Sequence, residues 1–127
     1  MIFDTDIMIW FLRGDYEAAK AISSVPVERR FASIVTYLEM VQGVRNKEEL
    51  KNLQTTIRGM NLAILPVTEE ISLIARDYME NYILKSKLNV CDALIAATAR
   101  QHLETLFTGN LKHFKVLDIP IQPFVKE

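Results

Sequence analysis

Cysteine is almost absent from this chain of 127 residues, in which Cys91 is the only example. A single cysteine excludes an intrachain disulfide, so we expect an apolar core to hold the fold and a reducing cytoplasm to be its compartment. Glycine and proline are also scarce, with four of each, and no repeat, low-complexity stretch or Gly/Ser-rich linker interrupts the sequence. The sequence therefore predicts one continuous domain over residues 1–127.

The chain also lacks an excess of charge and a long apolar run. Fifteen Lys and Arg residues face sixteen Asp and Glu, and a net charge of −1 argues against a surface devoted to nonspecific phosphate binding. No apolar stretch approaches the roughly 20 residues that span a bilayer. The start, Met1-Ile2-Phe3-Asp4, has no basic segment, which argues against a signal peptide.

The apolar residues alternate between short runs and helical stripes. Short runs predict strands at 1–5, 31–35, 63–66, 106–108 and near 119–121. Helical spacing predicts helices at 7–12, 15–23, 36–45, 47–58, 71–83 and 90–102. This alternation is typical of a parallel sheet covered by helices on both faces.

Acidic residues recur where the predicted strands end. Asp4 closes the first strand, with Asp6 close by, and Glu39 lies in the first turn of the helix after the second strand. Asp92 lies in the first turn of the late alanine-rich helix. These positions meet at one edge of a parallel sheet, where ligands bind. Two carboxylates about 4 Å apart repel by roughly 4 kcal/mol at an effective dielectric of 20, so we expect a cation among them.

Each acid also has an ordinary structural explanation. Thr36-x-x-Glu39 matches a capping box, and Asn89-x-x-Asp92 matches a weaker version of it. Acids in a first turn also favour the helix dipole. Asp4 is explained less well in this way, because strands disfavour aspartate.

The residues that zinc prefers do not form a recognisable set. His102 and His113 lack partners at zinc-type spacing, and Cys91 is predicted to be core. Oxygen-only ligands select Mg²⁺ or Mn²⁺, which is the cofactor we predict.

Four segments resemble the PIN domain, and their order and spacing match from Met1 to about Pro123. They are residues 2–7 (IFDTDI), 32–43 (ASIVTYLEMVQG), 92–99 (DALIAATA) and 108–114 (TGNLKHF). Within this family the chain is most similar to the bacterial and archaeal toxin nucleases of VapC type, the partners of VapB-type antitoxins.

The resemblance implies a three-layer α/β/α sandwich with a parallel central sheet and a metal-dependent endoribonuclease that hydrolyses RNA with a metal-activated water. It identifies Asp4, Glu39 and Asp92 as the catalytic and metal-binding acids, supported by Asp6 and by the two residues Thr108 and Asn110. Many relatives carry a fourth acid where this chain has Asn110, with His113 three residues on, which leaves open whether one or two metals bind.

The resemblance also implies two protein partners, an antitoxin and a second copy of the chain. Helices near Trp10-Phe11 and Leu50-Leu53 are candidates for a groove that binds the antitoxin peptide, whose Arg would enter the acidic cleft. Leu73, Ile83 and Leu84 lie off the main stripe of their helix and are candidate homodimer contacts. A candidate basic rim for RNA consists of Arg13, Arg29, Arg30, Arg45, Lys47 and Lys112.

Two alternative functions stay open at this point. Asp4-Thr5-Asp6 after an apolar strand also resembles the nucleophile motif of HAD-like phosphatases. That family also needs a Lys and a late pair of acids, whereas Asp92 stands alone in its segment. The other alternative is a catalytically inactive PIN-type module that binds RNA or protein.

Overall fold

The computed structural model describes residues 1–125 and contains a sheet of five short parallel strands. The strands are β1 Ile2–Phe3, β2 Phe31–Ser33, β3 Ala63–Leu65, β4 Leu106–Thr108 and β5 Ile121–Pro123. Their order across the sheet is β3-β2-β1-β4-β5, and every neighbouring pair is parallel. The chain therefore reverses its direction of winding between β1 and β4, the place where open α/β sheets bind ligands at the strand C-termini.

Seven helices cover the two faces of this sheet within the described residues. They are α1 Thr5–Leu12, α2 Tyr16–Ser23, α3 Ile34–Gln42, α4 Lys47–Gly59, α5 Glu69–Tyr82, α6 Val90–Gln101 and α7 Leu111–Phe114. Successive strand residues point to opposite faces, so Ile2 packs with α5 and α6, whereas Phe3 packs with α1 to α4. The predicted three-layer α/β/α sandwich is confirmed.

The predicted helical stripes explain how the core is filled. In α5, Ile71, Ala75 and Tyr78 are buried, as the spacing predicted, and this helix packs along α6. The alanine-rich α6 buries seven of its twelve residues, which confirms the prediction of a helix covered on more than one side. No helix within residues 1–125 is long and apolar enough to cross a membrane.

Helix and strand boundaries differ from the sequence prediction mainly where a polar residue caps a helix. Helix α3 begins at Ile34, two residues earlier than predicted, because the Ser33 hydroxyl accepts a hydrogen bond from the Val35 amide. Helix α1 likewise begins at Thr5, because Asp4 caps it. Gly14 has a φ of +82° and follows the end of α1, as predicted. The short α7 and a single 3₁₀ turn at Val27–Arg29 were not predicted.

Candidate active site

Asp4 is a buried carboxylate fixed from two sides. Its Oδ1 accepts the Thr5 amide at 2.8 Å and its Oδ2 accepts the Thr108 hydroxyl at 2.6 Å, while only 3 % of the residue is exposed. Burial, together with the nearby negative charges of Asp6 and Asp92, raises the pKa of Asp4 to about 7. Asp4 therefore both caps α1 and carries an incompletely compensated charge, and the explanation by capping is stronger than its strand position suggested.

Asp6 is held on the same side of the sheet by backbone amides. Its Oδ1 accepts from the Ile7 amide at 2.8 Å, and its Oδ2 accepts from the Gly109 amide at 3.0 Å. A Cβ at Gly109 would lie 2.7 Å from Oδ2 of Asp6, so only glycine allows this approach without a shift. Burial raises the pKa of Asp6 above its ordinary value. The loop after β4 is thereby tied to the start of α1.

Glu39 lies in the second turn of α3, not in the first turn as predicted. The Thr36-x-x-Glu39 capping box is also wrong, because Ser33 caps this helix and Thr36 is buried inside it. The Thr5 hydroxyl donates to Oε1 of Glu39 at 2.7 Å and lies 3.0 Å from the Thr36 hydroxyl. A hydroxyl has one hydrogen to donate, so Thr36 is the donor in the second bond. The chain Thr36–Thr5–Glu39 connects α3 to the helix that Asp4 caps.

Asp92 lies in the first turn of α6, as predicted, and the capping box with Asn89 is complete. The Asp92 amide donates to Oδ1 of Asn89 at 2.9 Å, and the Asn89 amide donates to Oδ2 of Asp92 at 3.2 Å. His113 Nδ1 lies 2.9 Å from the same Oδ2. Oδ1 of Asp92 has no hydrogen-bond partner within residues 1–125. Capping thus engages one carboxylate oxygen and leaves the other available.

The loop after β4 supplies the polar neighbours of these acids. Besides its bond to Asp4, the buried Thr108 hydroxyl accepts the Asn110 amide at 2.9 Å. Asn110 is exposed and precedes α7, and its side chain caps no helix. The contact of His113 with Asp92 was missed by the sequence reasoning, which considered His113 only as a zinc ligand and as the neighbour of Asn110.

Cys91 was predicted to belong to the core, and this prediction was wrong. Its side chain is only half-buried. Burial, followed by the negative charges of Glu39 and Asp92, raises the pKa of its thiol. Cys91 therefore lies near the acids.

The described acids suit a divalent cation in chemistry, but they are not a preassembled site. Within residues 1–125, no group of three or more His, Cys, Asp or Glu side chains is close enough to hold a metal ion. The charges nevertheless interact, since those of Asp6 and Asp92 raise the pKa of Asp4. Buried carboxylates that repel each other and present only oxygen favour Mg²⁺ or Mn²⁺. The donor set therefore fits such an ion, provided that the carboxylates draw closer around it.

The predicted basic rim is not one surface. Arg29 and Arg30 precede β2 and lie at the opposite edge of the sheet from the acids, and Arg45 forms an ion pair with Glu49 at 2.8 Å. Of the predicted rim, Lys112 precedes His113, which contacts Asp92, and Arg13 and Arg45 line a groove together with Glu39.

A groove between α1, α3 and α4 includes Glu39 in its lining. It is lined by residues of α1, α3 and α4, among them Ile9, Leu12, Met40 and Leu53, and it reaches Glu39 and Arg13. This groove lies between the two helices proposed from the sequence. Ile9 and Leu12 line it in place of the expected Trp10 and Phe11, which are half-buried.

Comparison with known proteins gives a consistent result for nearly the whole chain. The family model for the PIN domain matches residues 1–119. A toxin–antitoxin complex from Klebsiella pneumoniae contains a chain 27 % identical to this one, with 97 % of both chains covered and a TM-score of 0.79. FitAcB from Neisseria gonorrhoeae is similar at 23 % identity, 94 % coverage of both chains and a TM-score of 0.75. DNA-bound VapBC from Salmonella typhimurium is similar at 17 % identity, 96 % coverage of both chains and a TM-score of 0.80. No curated protein sequence matches the chain.

Proposed function

The chain belongs to the PIN domain family, and on this premise we propose that it is a Mg²⁺- or Mn²⁺-dependent endoribonuclease, the toxin of a toxin–antitoxin pair. The observation that carries the proposal is the set of acids around the strand ends. The negative charges of Asp6 and Asp92 both act on Asp4, and Thr5 links Glu39 to the helix that Asp4 caps. Such a set favours chemistry on a phosphate together with a cation.

The proposed reaction assigns a separate role to each side chain. Asp4, Glu39 and Asp92 would hold the ion, which supplies an activated water and neutralises charge that develops on the scissile phosphate. Thr108 and Thr5 fix the carboxylates of Asp4 and Glu39 by hydrogen bonds. Among the acids, we assign Asp92 to take the proton of the attacking water.

An RNA backbone would be bound by lysines next to this site. Segments 83–91 and 109–117 contain no acid, and the Ser86 hydroxyl joins them by donating to the His113 carbonyl at 3.2 Å. Four lysines in these segments are exposed and form no ion pair within residues 1–125. These lysines, called the lysine strip below, are Lys85, Lys87, Lys112 and Lys115. A local concentration of positive charge on a nearly neutral protein favours binding of phosphates at that place.

The antitoxin would bind in the groove between α1, α3 and α4. Its apolar residues suit the apolar face of an amphipathic helix, and Glu39 in its lining suits a basic side chain that competes with the cation. The similarity to a chain from the Klebsiella pneumoniae toxin–antitoxin complex supports such a partner. Co-expression with the product of the neighbouring small gene should suppress cleavage; a product that neither binds nor inhibits would contradict the toxin role.

We place the protein in the cytoplasm as a homodimer. Leu73, Ile83 and Leu84 are 58 %, 46 % and 96 % exposed, an apolar surface that a second copy of the chain would cover. A monomeric mass by light scattering at micromolar concentration would contradict the dimer.

Two other functions are less well supported. A HAD-like phosphatase requires Asp4 as an attacking nucleophile, whereas Asp4 is buried, both of its oxygens are engaged, and the chain belongs to another family. A catalytically inactive PIN module remains the alternative that an activity assay must exclude.

The decisive experiment measures cleavage of single-stranded RNA with Mg²⁺ or Mn²⁺ and with chelator. Asp4→Asn should abolish metal-dependent cleavage, because it removes charge from the proposed ion site. Asp15→Asn is the matched control: Asp15 also caps a helix, α2, where asparagine caps equally well. Equal cleavage by the two variants, or no cleavage by the wild type with either metal, would overturn the proposal.

A further inference from the structure

His113 contacts Asp92 in a way that fixes which ring nitrogen carries hydrogen. Its Nδ1 lies 2.9 Å from Oδ2 of Asp92, the oxygen that also accepts the Asn89 amide. An ionised carboxylate can only accept hydrogen bonds, so Nδ1 of His113 must be the donor. Oδ2 therefore receives two hydrogen bonds from two segments of the chain, while Oδ1 receives none within the described residues.

The backbone holds this imidazole in place. His113 lies in the short helix α7, where its backbone amide donates to the Asn110 carbonyl at 2.9 Å. The His113 carbonyl accepts the Ser86 hydroxyl at 3.2 Å, and the ring is 28 % exposed by side-chain area. His113 is thus restrained both by its own turn and by the segment that precedes α6.

We propose that His113 is a positioning residue of the acidic site, whose Nδ1–H holds the Asp92 carboxylate so that Oδ1 faces the cation. This inference rests on the proposed metal-dependent function. A bond to Oδ2 stops the carboxylate from rotating, and the donor adds a favourable interaction with the charged form of Asp92. Outer partners of this kind typically contribute 10–100-fold to metal affinity.

The same contact would have the opposite effect on metal affinity if the cation bound Oδ2 of Asp92 instead of Oδ1. If the cation needed Oδ2, His113 would compete with it, and removal of the imidazole would strengthen metal binding. The structure favours the positioning role, because the Asn89 amide engages Oδ2 as well and would still occupy it after His113 had left.

The test replaces His113 with asparagine or glutamine, whose side-chain amide nitrogens correspond to different nitrogens of the imidazole ring. The side-chain nitrogen of asparagine lies at about the same distance from the backbone as Nδ1, whereas that of glutamine reaches as far as Nε2. His113→Asn should therefore keep Mn²⁺ affinity close to that of the wild type. His113→Ala and His113→Gln should each weaken it about 10-fold or more. His102→Ala, at the exposed second histidine beyond α6, should have no effect.

Binding is measured on the full chain by the paramagnetic resonance signal of free Mn²⁺, with circular dichroism as the check on folding. Unchanged or tighter Mn²⁺ binding by His113→Ala, or equal losses for His113→Asn and His113→Gln, would overturn the inference while the proposed function stands. A wild-type protein that binds no Mn²⁺ would overturn the proposed metal dependence, and this inference with it. Should His113→Ala unfold, the comparison of the asparagine and glutamine variants decides alone.

Discussion

The Thr108 hydroxyl donates a hydrogen bond of 2.6 Å to Oδ2 of Asp4, although 104 positions separate the two residues in the chain. The parallel pairing of β1 with β4 brings them together, since Phe3 lies opposite Phe107 and the next residue of each strand enters the site. This bond stabilises the ionised form of a carboxylate whose pKa burial raises to about 7.

Replacement of Thr108 by valine should reduce both activity and stability. The two side chains have similar shape, but valine leaves the buried Asp4 oxygen without its donor, which costs about 1–3 kcal/mol of unfolding free energy. We expect RNA cleavage to fall at least 10-fold, while Thr108→Ser keeps most of it. Denaturant unfolding and initial cleavage rates measure the two effects.

The matched control for this variant is Thr98→Val. Thr98 is also fully buried, but its hydroxyl donates to the Leu94 carbonyl within α6 and touches no acid. Its loss should affect stability only slightly and cleavage not at all. Equal rates for Thr108→Val and Thr98→Val would show that the bond to Asp4 has no role in the reaction.

The sequence predicted the layers of the fold better than the details of the site. Apolar periodicity is a property of neighbouring residues, so the stripe of α5 and the buried face of α6 were read correctly. Glu39 was placed one turn too early, because two capping residues, Ser33 and Thr36, were available and only packing decided between them. The contact of His113 with Asp92 joins separate elements, so no local pattern could indicate it.

Neutralisation of two acids should change the stability of the metal-free protein in opposite directions. Asp4→Asn removes a buried charge that is repelled by Asp6, and we expect a higher melting temperature. Asp92→Asn removes the charge that favours the capping box and the His113 contact, and we expect a loss of about 1–2 kcal/mol. Thermal unfolding in chelator measures both effects. A lower melting temperature for both variants would show that the charge of Asp4 is already compensated.

Gly109→Ala should impair cleavage with little effect on folding. The added Cβ would lie 2.7 Å from Oδ2 of Asp6, so the carboxylate must move and loses its bond to the Gly109 amide. Because the Asp6 carboxylate is at the end of a side chain that can move, we expect a loss of only about 1 kcal/mol of unfolding free energy. Gly59→Ala is the control, since nothing lies within 4 Å of its added Cβ at the end of α4. Full activity of Gly109→Ala would mean that the position of Asp6 is unimportant.

Ionisation of Tyr78 should destabilise the folded protein in alkali. Burial, together with the hydrogen bond that its hydroxyl donates to Asp118 at 2.8 Å, raises the pKa of Tyr78 to about 12. The phenol of an unfolded chain ionises near pH 10, so the contribution of Tyr78 is complete below pH 10 and declines as the pH rises towards 12.

Absorbance at 295 nm should show part of the tyrosine ionisation only as the pH approaches 12, and Tyr78→Phe should lack this part. In denaturant unfolding between pH 9 and 11.5, the wild type should lose its stability advantage over Tyr78→Phe. A constant difference between the two proteins across that range would contradict the raised pKa.

The lysine strip should bind RNA through its phosphates. We expect Lys85→Ala/Lys87→Ala and Lys112→Ala/Lys115→Ala, each made with Asp4→Asn to prevent cleavage, to weaken binding of single-stranded RNA. Each lysine that contacts a phosphate contributes about 0.7 to the slope of log affinity against log salt, so either double variant should lower the slope by roughly 1 to 1.5. Fluorescence anisotropy of a labelled RNA at several salt concentrations measures this slope.

The control for the lysine strip removes the same charge from another surface. Lys20 on α2 and Lys51 on α4 are also exposed and form no ion pair within residues 1–125, yet they lie outside the two acid-free segments. If position matters, Lys20→Ala/Lys51→Ala should leave the slope almost unchanged, because only lysines in contact with phosphate displace counterions from the RNA. If all three double variants lowered the slope equally, the RNA would respond to net charge alone, and the strip beside His113 would not be its path to the acids.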